Sequence, residues 1–485
     1  MALDYDLSSI QEARDLARKA KDAQVLFAEY SEAQIDKILI AMVKTIEKNA
    51  QHLARMAVEE TKYGIVEHKA IKNIFASRDV YNAIKNIKTT GIIKEDKSLK
   101  VLEVAVPVGV ILGLTPTTNP TSTIIHNSLC AIKGGNAIVF SPHPKALKCS
   151  HATALLLHDA AVQAGAPEGI ISCLSKATMQ ATNELMLHED IAVIIATGGS
   201  AMVKAAYSAG KPALGVGPGN VPVFIERTAD IKQAVADIIV SKTFDNGMIC
   251  ASEQAIVADA PIKDEIIAEF KRQGAYFLST EEIKKVGDIV MSPKGGMNAA
   301  LVGQTAKYIA AKAGIEVPAQ TKLLIAPLAG YGAGYPLSYE KLTTVLGFYI
   351  VKDWHEACLL SIELLKLGGI GHSFAIHCQD EQLVREFIRK PVFRILVNTP
   401  SAFGGIGYST GLLPSLTLGC GTWGGSSISE NLGPQHLINI KRLAYGIKKV
   451  HLDAVKDVDR TSAPTINSED VAGIVRQVLK QLQRQ

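Results

Sequence analysis

Gly109-Val-Ile-Leu-Gly-Leu-Thr-Pro-Thr-Thr-Asn-Pro120 reads as an apolar strand, Gly109 to Leu114, running into a proline-marked turn and then a helical segment that reaches Ile132. The pattern repeats outward from it. Ala137-Ile-Val-Phe140 is a second strand, followed by a long helix from Lys145 to near Gly165. Ile170-Ile-Ser-Cys-Leu174 and Ile191-Ala-Val-Ile-Ile-Ala196 are a third and a fourth. Strands alternating with helices imply an α/β fold, with a parallel sheet covered by helices on both faces. Ligands of such sheets sit beyond the carboxyl ends of the strands. Thr197-Gly-Gly-Ser200 lies at one such end and leads into a helix over Ala201 to Ala209. Its amides suit a pyrophosphate, but the stretch is not a full Gly-x-Gly-x-x-Gly fingerprint, and a structural turn fits equally well. Asn119 is open in the same way, as a turn-stabilising amide or an oxyanion donor.

Upstream, residues 8 to about 86 read as helices. Ser31 and Gln34 form a capping box ahead of the stripe Ile35, Ile38, Leu39, Met42, Val43 and Ile46. Lys88 to Val106 reads as a polar turn and an alternating strand (Leu102, Val104, Val106), the arm of a hairpin. Downstream, Thr243-Phe-Asp-Asn-Gly-Met-Ile-Cys-Ala-Ser-Glu-Gln254 places one cysteine, Cys250, after an Asn246-Gly247 pair that tolerates positive φ. Ala255-Ile-Val-Ala258 then reads as a buried strand. A thiol on a constrained turn before a strand is a candidate nucleophile, although most cysteines of intracellular chains simply pack.

A chain of 485 residues is too long for one core, so two or three domains are expected. A hydrophobic content of 47%, 20% charged residues and a net charge of +4 are ordinary for a globular protein and offer no basic face for nucleic acid. No apolar stretch reaches the length of a membrane span, and Met-Ala-Leu-Asp-Tyr-Asp is not a signal peptide. Seven scattered cysteines without a Cys-x-x-Cys pair fit a reducing compartment, with neither a disulfide framework nor a metal site.

Four segments occur in the order and spacing of the aldehyde dehydrogenase superfamily: Leu114-Thr-Pro-Thr-Thr-Asn-Pro120, Ser141-Pro-His-Pro144, Gly215-Val-Gly-Pro-Gly-Asn220 and Phe244-Asp-Asn-Gly-Met-Ile-Cys250. Pro414-Ser-Leu-Thr-Leu-Gly-Cys-Gly-Thr-Trp-Gly-Gly425 with Glu430-Asn-Leu-Gly-Pro434 is a fifth. Residues 1 to about 450 resemble the CoA-acylating branch, above all the aldehyde half of bifunctional aldehyde–alcohol dehydrogenases and the aldehyde dehydrogenases of bacterial microcompartments. The resemblance implies a Rossmann-type NAD-binding domain over 1–236 (with a hairpin arm at about 88–106), a catalytic thiol domain over 237–424 and an oligomerisation arm over 425–450. A homodimer or homotetramer is implied as well.

The same resemblance implies that Cys250 is the nucleophile, Asn119 the oxyanion amide and His372 a histidine near the thiol. Thr115, Thr117, Ser141, Pro142, Thr197, Gly198, Gly199, Gly217 and Glu340 would contact the dinucleotide, with Glu340 at the nicotinamide ribose. His372 would assist proton transfer or favour the thiolate by charge; a hydrogen-bonded turn histidine fits equally well. Where hydrolytic members carry a glutamate that activates water, this chain has Val216. Without that base, water attack loses roughly 100- to 10,000-fold. Ser141 and Pro144 replace the Lys and Glu of the hydrolytic branch's ribose-binding motif, so that branch's cofactor preference does not carry over; NAD is expected before NADP. The implied reaction is ping-pong and reversible: a short aldehyde, acetaldehyde before propionaldehyde, with NAD and CoA gives acyl-CoA and NADH. A sulfoacetaldehyde-type enzyme, a hydrolytic enzyme and a non-catalytic scaffold are the alternatives. The other cysteines, Cys130, Cys149, Cys173 and Cys420 among them, are expected to pack, and Cys420 lies in a Gly-rich loop that could border the site.

Residues 451–466, within a polar stretch from Lys448 that holds Thr461-Ser-Ala-Pro464, read as a linker. Over 467–485 an amphipathic helix follows, with Ser468 as cap, Glu469 and Asp470 in its first turn, and a stripe of Val471, Ile474, Val475, Val478, Leu479 and Leu482. Such a helix is marginal alone and needs a partner. It resembles the encapsulation peptides that carry enzymes into microcompartments, which implies a cytoplasmic enzyme held within a shell. Packing on its own oligomer is the alternative, and membrane binding is disfavoured by its mixed charge.

Overall fold

The computed structural model describes residues 4–292, 296–450 and 467–482. The chain divides into two units, Met1–Ile93 with Val104–Lys441 and Lys94–Glu103 with Arg442–Gln485.

The first unit opens with helices Tyr5–Phe27, Glu32–Thr61, Val66–Ile74 and Val80–Ile84, the last two joined by one π turn. The capping box is present: Gln34 N–H donates to Ser31 Oγ, and Ser31 N–H donates to Gln34 Oε1 at 2.9 Å. All six residues of the stripe behind it are buried. Strands β1 (Gly91–Asp96) and β2 (Val101–Pro107) follow as a hairpin. The expected polar turn from Lys88 is therefore partly strand, and the reversal falls at Asp96, whose Oδ1 accepts from the N–H groups of Ser98 and Leu99.

A five-stranded sheet comprises β3 (Val110–Thr115), β4 (Ala137–Pro142), β5 (Ile171–Cys173), β6 (Ile191–Thr197) and β7 (Ala213–Val216), ordered β5-β4-β3-β6-β7 and parallel throughout. The chain winds outward from β3 in one direction and from β6 in the other. A crevice opens between their carboxyl ends, where ligands of open α/β sheets bind. The second sheet comprises β8 (Val221–Ile225), β9 (Glu253–Asp259), β10 (Ala275–Phe277), β11 (Leu323–Pro327), β12 (Val345–Val351), β13 (Phe374–His377) and β14 (Ile395–Val397). It is ordered β10-β11-β12-β9-β8-β13-β14, again all parallel. Both sheets are lined by fully buried Val, Ile and Leu, as strands covered on two faces must be.

The first sheet has a fifth strand, Ala213–Val216, which is too short to announce itself. The next strand, Val221–Ile225, lies in the second sheet. Buried parallel strands are all apolar runs, so composition cannot say which sheet a strand joins.

β15 (Ile438–Ala444) completes a three-stranded sheet ordered β1-β2-β15. Within the second unit, Tyr445 N–H donates to Lys100 O at 3.1 Å and Arg442 Nε donates to Glu103 Oε1 at 3.2 Å. The expected linker at 451–466 lies outside the described residues. The terminal helix spans Ser468–Leu482, but its cap is Asn467, not Ser468: Asn467 Oδ1 accepts from the N–H groups of Glu469 and Asp470. An amide or hydroxyl caps equally well, and here the one a residue earlier does so. The six apolar side chains of its stripe are between 49% and 65% exposed. No described helix is long and apolar enough to cross a membrane.

Candidate active site

Cys250 is delivered by a turn made of three consecutive left-handed residues, Asp245 (φ 50°), Asn246 (φ 53°) and Gly247 (φ 76°). A non-glycine residue in this region costs about 1 kcal/mol or more, so the turn needs support. Asp245 is buried and supplies most of it. Its Oδ1 accepts from Ile65 N–H at 2.8 Å, and its Oδ2 accepts from Lys69 Nζ at 3.0 Å and Lys72 Nζ at 2.6 Å. Its N–H donates to His68 Nδ1 at 2.8 Å, and Asn246 Nδ2 donates to Gly303 O at 2.8 Å. Burial works to raise the Asp245 pKa, but the two ammonium groups bring it below the ordinary value.

Past the turn, Cys250 opens onto a cavity of about 640 Å3 at the carboxyl ends of β3, β4, β6 and β7. Eleven of the residues singled out from the sequence line it: Cys250, Asn119, Thr115, Thr117, Ser141, Pro142, Thr197, Gly198, Gly199, Gly217 and Glu340. Asn119 ends the turn before helix Pro120–Lys133. Its Nδ2 donates to Met248 O at 3.0 Å and, more weakly, to Thr118 Oγ1 at 3.3 Å, and its Oδ1 accepts from Lys72 Nζ at 2.7 Å. The hydroxyls of Thr115 and Thr197 are enclosed without a hydrogen-bond partner among the described residues. Gly198 and Gly199 precede helix Ser200–Ser208. Two unsatisfied hydroxyls and a glycine-led helix start fit the polar groups of a dinucleotide.

Glu340 closes one side. Its Oε1 accepts from Gly219 N–H at 2.9 Å, while burial raises its pKa to about 7. Its loop is pinned from behind: Lys341 Nζ donates to Leu337 O and Tyr339 O, and Gln254 Oε1 accepts from Lys341 N–H and from Lys242 Nζ. Gly219 could be no other residue, because a β-carbon there would stand 2.0 Å from the Cys250 carbonyl oxygen. Val216 is buried and lines the cavity, where Glu340 is the one carboxylate among the described lining residues.

His372 does not reach this cavity. It is fully buried behind Gly219, where a β-carbon would meet its ring at 3.3 Å. Its Nδ1 pairs with Ser373 Oγ at 3.0 Å. Burial, then Arg394, lowers its pKa to about 3, so the ring is neutral and cannot favour a thiolate by charge. Cys420 is buried too and does not line the cavity. Burial, followed by Glu340 and Cys420, pushes the Cys250 thiol up to about 12, so the resting sulfur is protonated.

Sequence reading missed Lys69, Lys72 and Asp245. Two lysines at i, i+3 on a helix read as a solvated face, and nothing local marks them as buried. It also left the surroundings of the thiol unplaced. They are apolar: Phe75, Phe244, Ile249, Ala402 and Ile406 form a buried cluster on which Cys250 and Phe403 pack.

Comparison with known proteins gives the family. The aldehyde dehydrogenase family model matches residues 3–288. The bifunctional aldehyde-alcohol dehydrogenase AdhE of Escherichia coli is 46% identical over 444 residues, 90% of this chain and 50% of that protein, so the chain spans about half the length of such relatives. An acetylating aldehyde dehydrogenase from Geobacillus thermoglucosidasius superposes with a TM-score of 0.91 at 51% identity, covering 93% of this chain and 100% of that one. A propionaldehyde dehydrogenase from the Clostridium phytofermentans fucose utilisation bacterial microcompartment gives 0.80 at 31% identity, covering 88% and 96%. The Rhodopseudomonas palustris propionaldehyde dehydrogenase, solved with bound CoA and an acylated cysteine, gives 0.79 at 29% identity, covering 89% and 97%. With a family match over more than half its length and a thiol set against a dinucleotide-type crevice, the chain belongs to the aldehyde dehydrogenase family.

Proposed function

We propose that this chain is a CoA-acylating aldehyde dehydrogenase that converts a short aldehyde, acetaldehyde before propionaldehyde, to its acyl-CoA with NAD and CoA, reversibly. The observation that carries the reading is that Cys250 and Asn119 share one cavity with Thr115, Thr197 and Glu340, while position 216 offers valine where a base would stand. Cys250 Sγ adds to the aldehyde carbon, its proton passing to water, and the carbonyl oxygen becomes negative. Asn119 Nδ2 and the Cys250 N–H are the donors for that oxygen, with Asn119 giving up its weak Thr118 contact. A nicotinamide dinucleotide, held by Thr115, Thr197 and the amides after Gly198, with Glu340 at its ribose, supplies the hydride acceptor. The acyl group is then a thioester on Cys250. Position 216 holds valine and Glu340 is given to the dinucleotide ribose, its Oε1 on Gly219 N–H, so the acyl group passes to the CoA thiol, whose proton ends on Cys250 Sγ.

NAD is favoured over NADP because no Lys or Arg is among the described residues lining the cavity, and a 2′-phosphate needs one. Incubation with NAD, CoA and C2 to C4 aldehydes should give NADH and thioester in equal amounts. NADH with free acid and no thioester would overturn the reading.

The terminal helix is assigned to docking inside a microcompartment, on a shell protein. Six half-exposed apolar side chains on one face gain about 1 kcal/mol each when covered, enough to order a short helix on a partner. Removing 467–485 should leave turnover intact and abolish co-sedimentation with shells. Lost turnover would place the helix on its own oligomer, for which a dimer or tetramer is proposed, supported by β15, which has no second neighbouring strand among the described residues.

A further inference from the structure

Three elements meet in one buried ion cluster: the helix carrying Lys69 and Lys72, the Thr118–Asn119 turn, and the Asp245 turn that leads to Cys250. Lys69 Nζ donates to Thr118 O at 2.8 Å and to Asp245, while Lys72 Nζ donates to Asn119 Oδ1 and to Asp245. Both lysines are 2% exposed. An ammonium can only donate, so the face of the Asn119 amide that meets Lys72 must be its oxygen. On the opposite side Met248 O can only accept, so the amide meets it with nitrogen. Turning the amide over would set NH2 against ammonium and oxygen against oxygen. The two contacts therefore fix a single orientation, with the N–H donors toward Met248, two residues before Cys250, in the cavity that both Asn119 and Cys250 line.

The charge balance adds a second effect. Two ammonium groups share one carboxylate, which leaves one positive charge uncompensated within the cluster. Burial lowers Lys72 to about 8, against the opposing pull of Asp245, so it stays cationic at neutral pH. A cation bonded to the amide oxygen polarises the amide and strengthens its N–H as a donor, all the more in a dry site. We propose that Lys72 is a positioning residue for the reaction, orienting and polarising the Asn119 amide so that it receives the oxyanion formed at Cys250. This rests on the oxyanion role given to Asn119 above.

The test is a double-mutant cycle on the full chain with NAD, CoA and acetaldehyde, following NADH in a single turnover and the KM for NAD. Lys72→Met should slow NADH formation by about 10- to 100-fold, a share of the 100- to 1,000-fold expected for losing the donor in Asn119→Ala. The KM for NAD should stay within about twofold, because Lys72 does not line the cavity. In the Asn119→Ala background the same Lys72→Met change should cost no more than about threefold, since a residue acting through the amide has nothing left to act on. An equal penalty in both backgrounds would overturn the inference and make Lys72 a prop of the fold. An Asn119→Ala enzyme at the wild-type rate would instead overturn the oxyanion reading itself. Should Lys72→Met fail to fold, Lys72→Gln, which keeps a donor without the charge, takes its place in the same cycle under the same criteria.

Discussion

Cys250→Ala should abolish aldehyde-dependent NADH formation, a loss on the order of 10,000-fold or more, while leaving the fold and dinucleotide binding in place. The size of the loss follows from the chemistry. Removing the sulfur removes the covalent route altogether, and no other described cysteine lines the cavity to take its place. The fold should survive because the turn before Cys250 is held by Asp245, Asn246 and Gly247 through bonds that do not involve the thiol. Truncating one half-buried thiol costs about 1 kcal/mol, a change of a few degrees at most in the melting temperature of a chain this long. The decisive comparison is dinucleotide titration of the variant beside its turnover. Retained binding with lost turnover is expected. Turnover near the wild-type rate would leave the chain a scaffold in which Cys250 merely packs, and would remove the basis of the acylating assignment.

What the sequence made legible was what depends on neighbours in sequence. Asn246-Gly247 announced a left-handed turn because those residues tolerate positive φ wherever they stand, and both adopt it. The stripe from Ile35 to Ile46 announced a buried helix face because helical period and burial are linked by geometry alone. Motif order placed the lining of the crevice for a similar reason, since residues at strand ends in a parallel sheet converge. Lys72 is the opposite case. Its burial is made tolerable by Asp245, 173 residues further along, and by an asparagine that the sheet brings beside it. His372 is a third case. The motif placed it near the thiol, and its ring does lie beside Gly219 close to the Cys250 backbone, but it is buried, neutral and outside the cavity lining, which only the three-dimensional packing decides.

Val216→Glu should turn the acyl-enzyme toward water. Val216 ends β7, is 5% exposed and shares the cavity with Cys250. A carboxyl group there would be partly desolvated and near Glu340, both of which raise its pKa toward neutrality, where a general base works best. It would hold a water against the thioester and take its proton, so acid release without CoA should rise by roughly 100- to 10,000-fold over the parent. Thioester yield in the presence of CoA should fall in the same measure, because the two acceptors compete for one acyl group. Val216→Gln is the control, since it places similar bulk and polarity at the same point without a base. If the Gln variant released acid as fast as the Glu variant, the barrier to water in the parent would be the shape of the cavity at β7. If neither released it, the thioester would be shielded from water by something other than residue 216. A gain confined to glutamate, measured as acid formed per NADH, is the result that makes the missing carboxylate the reason CoA and not water receives the acyl group.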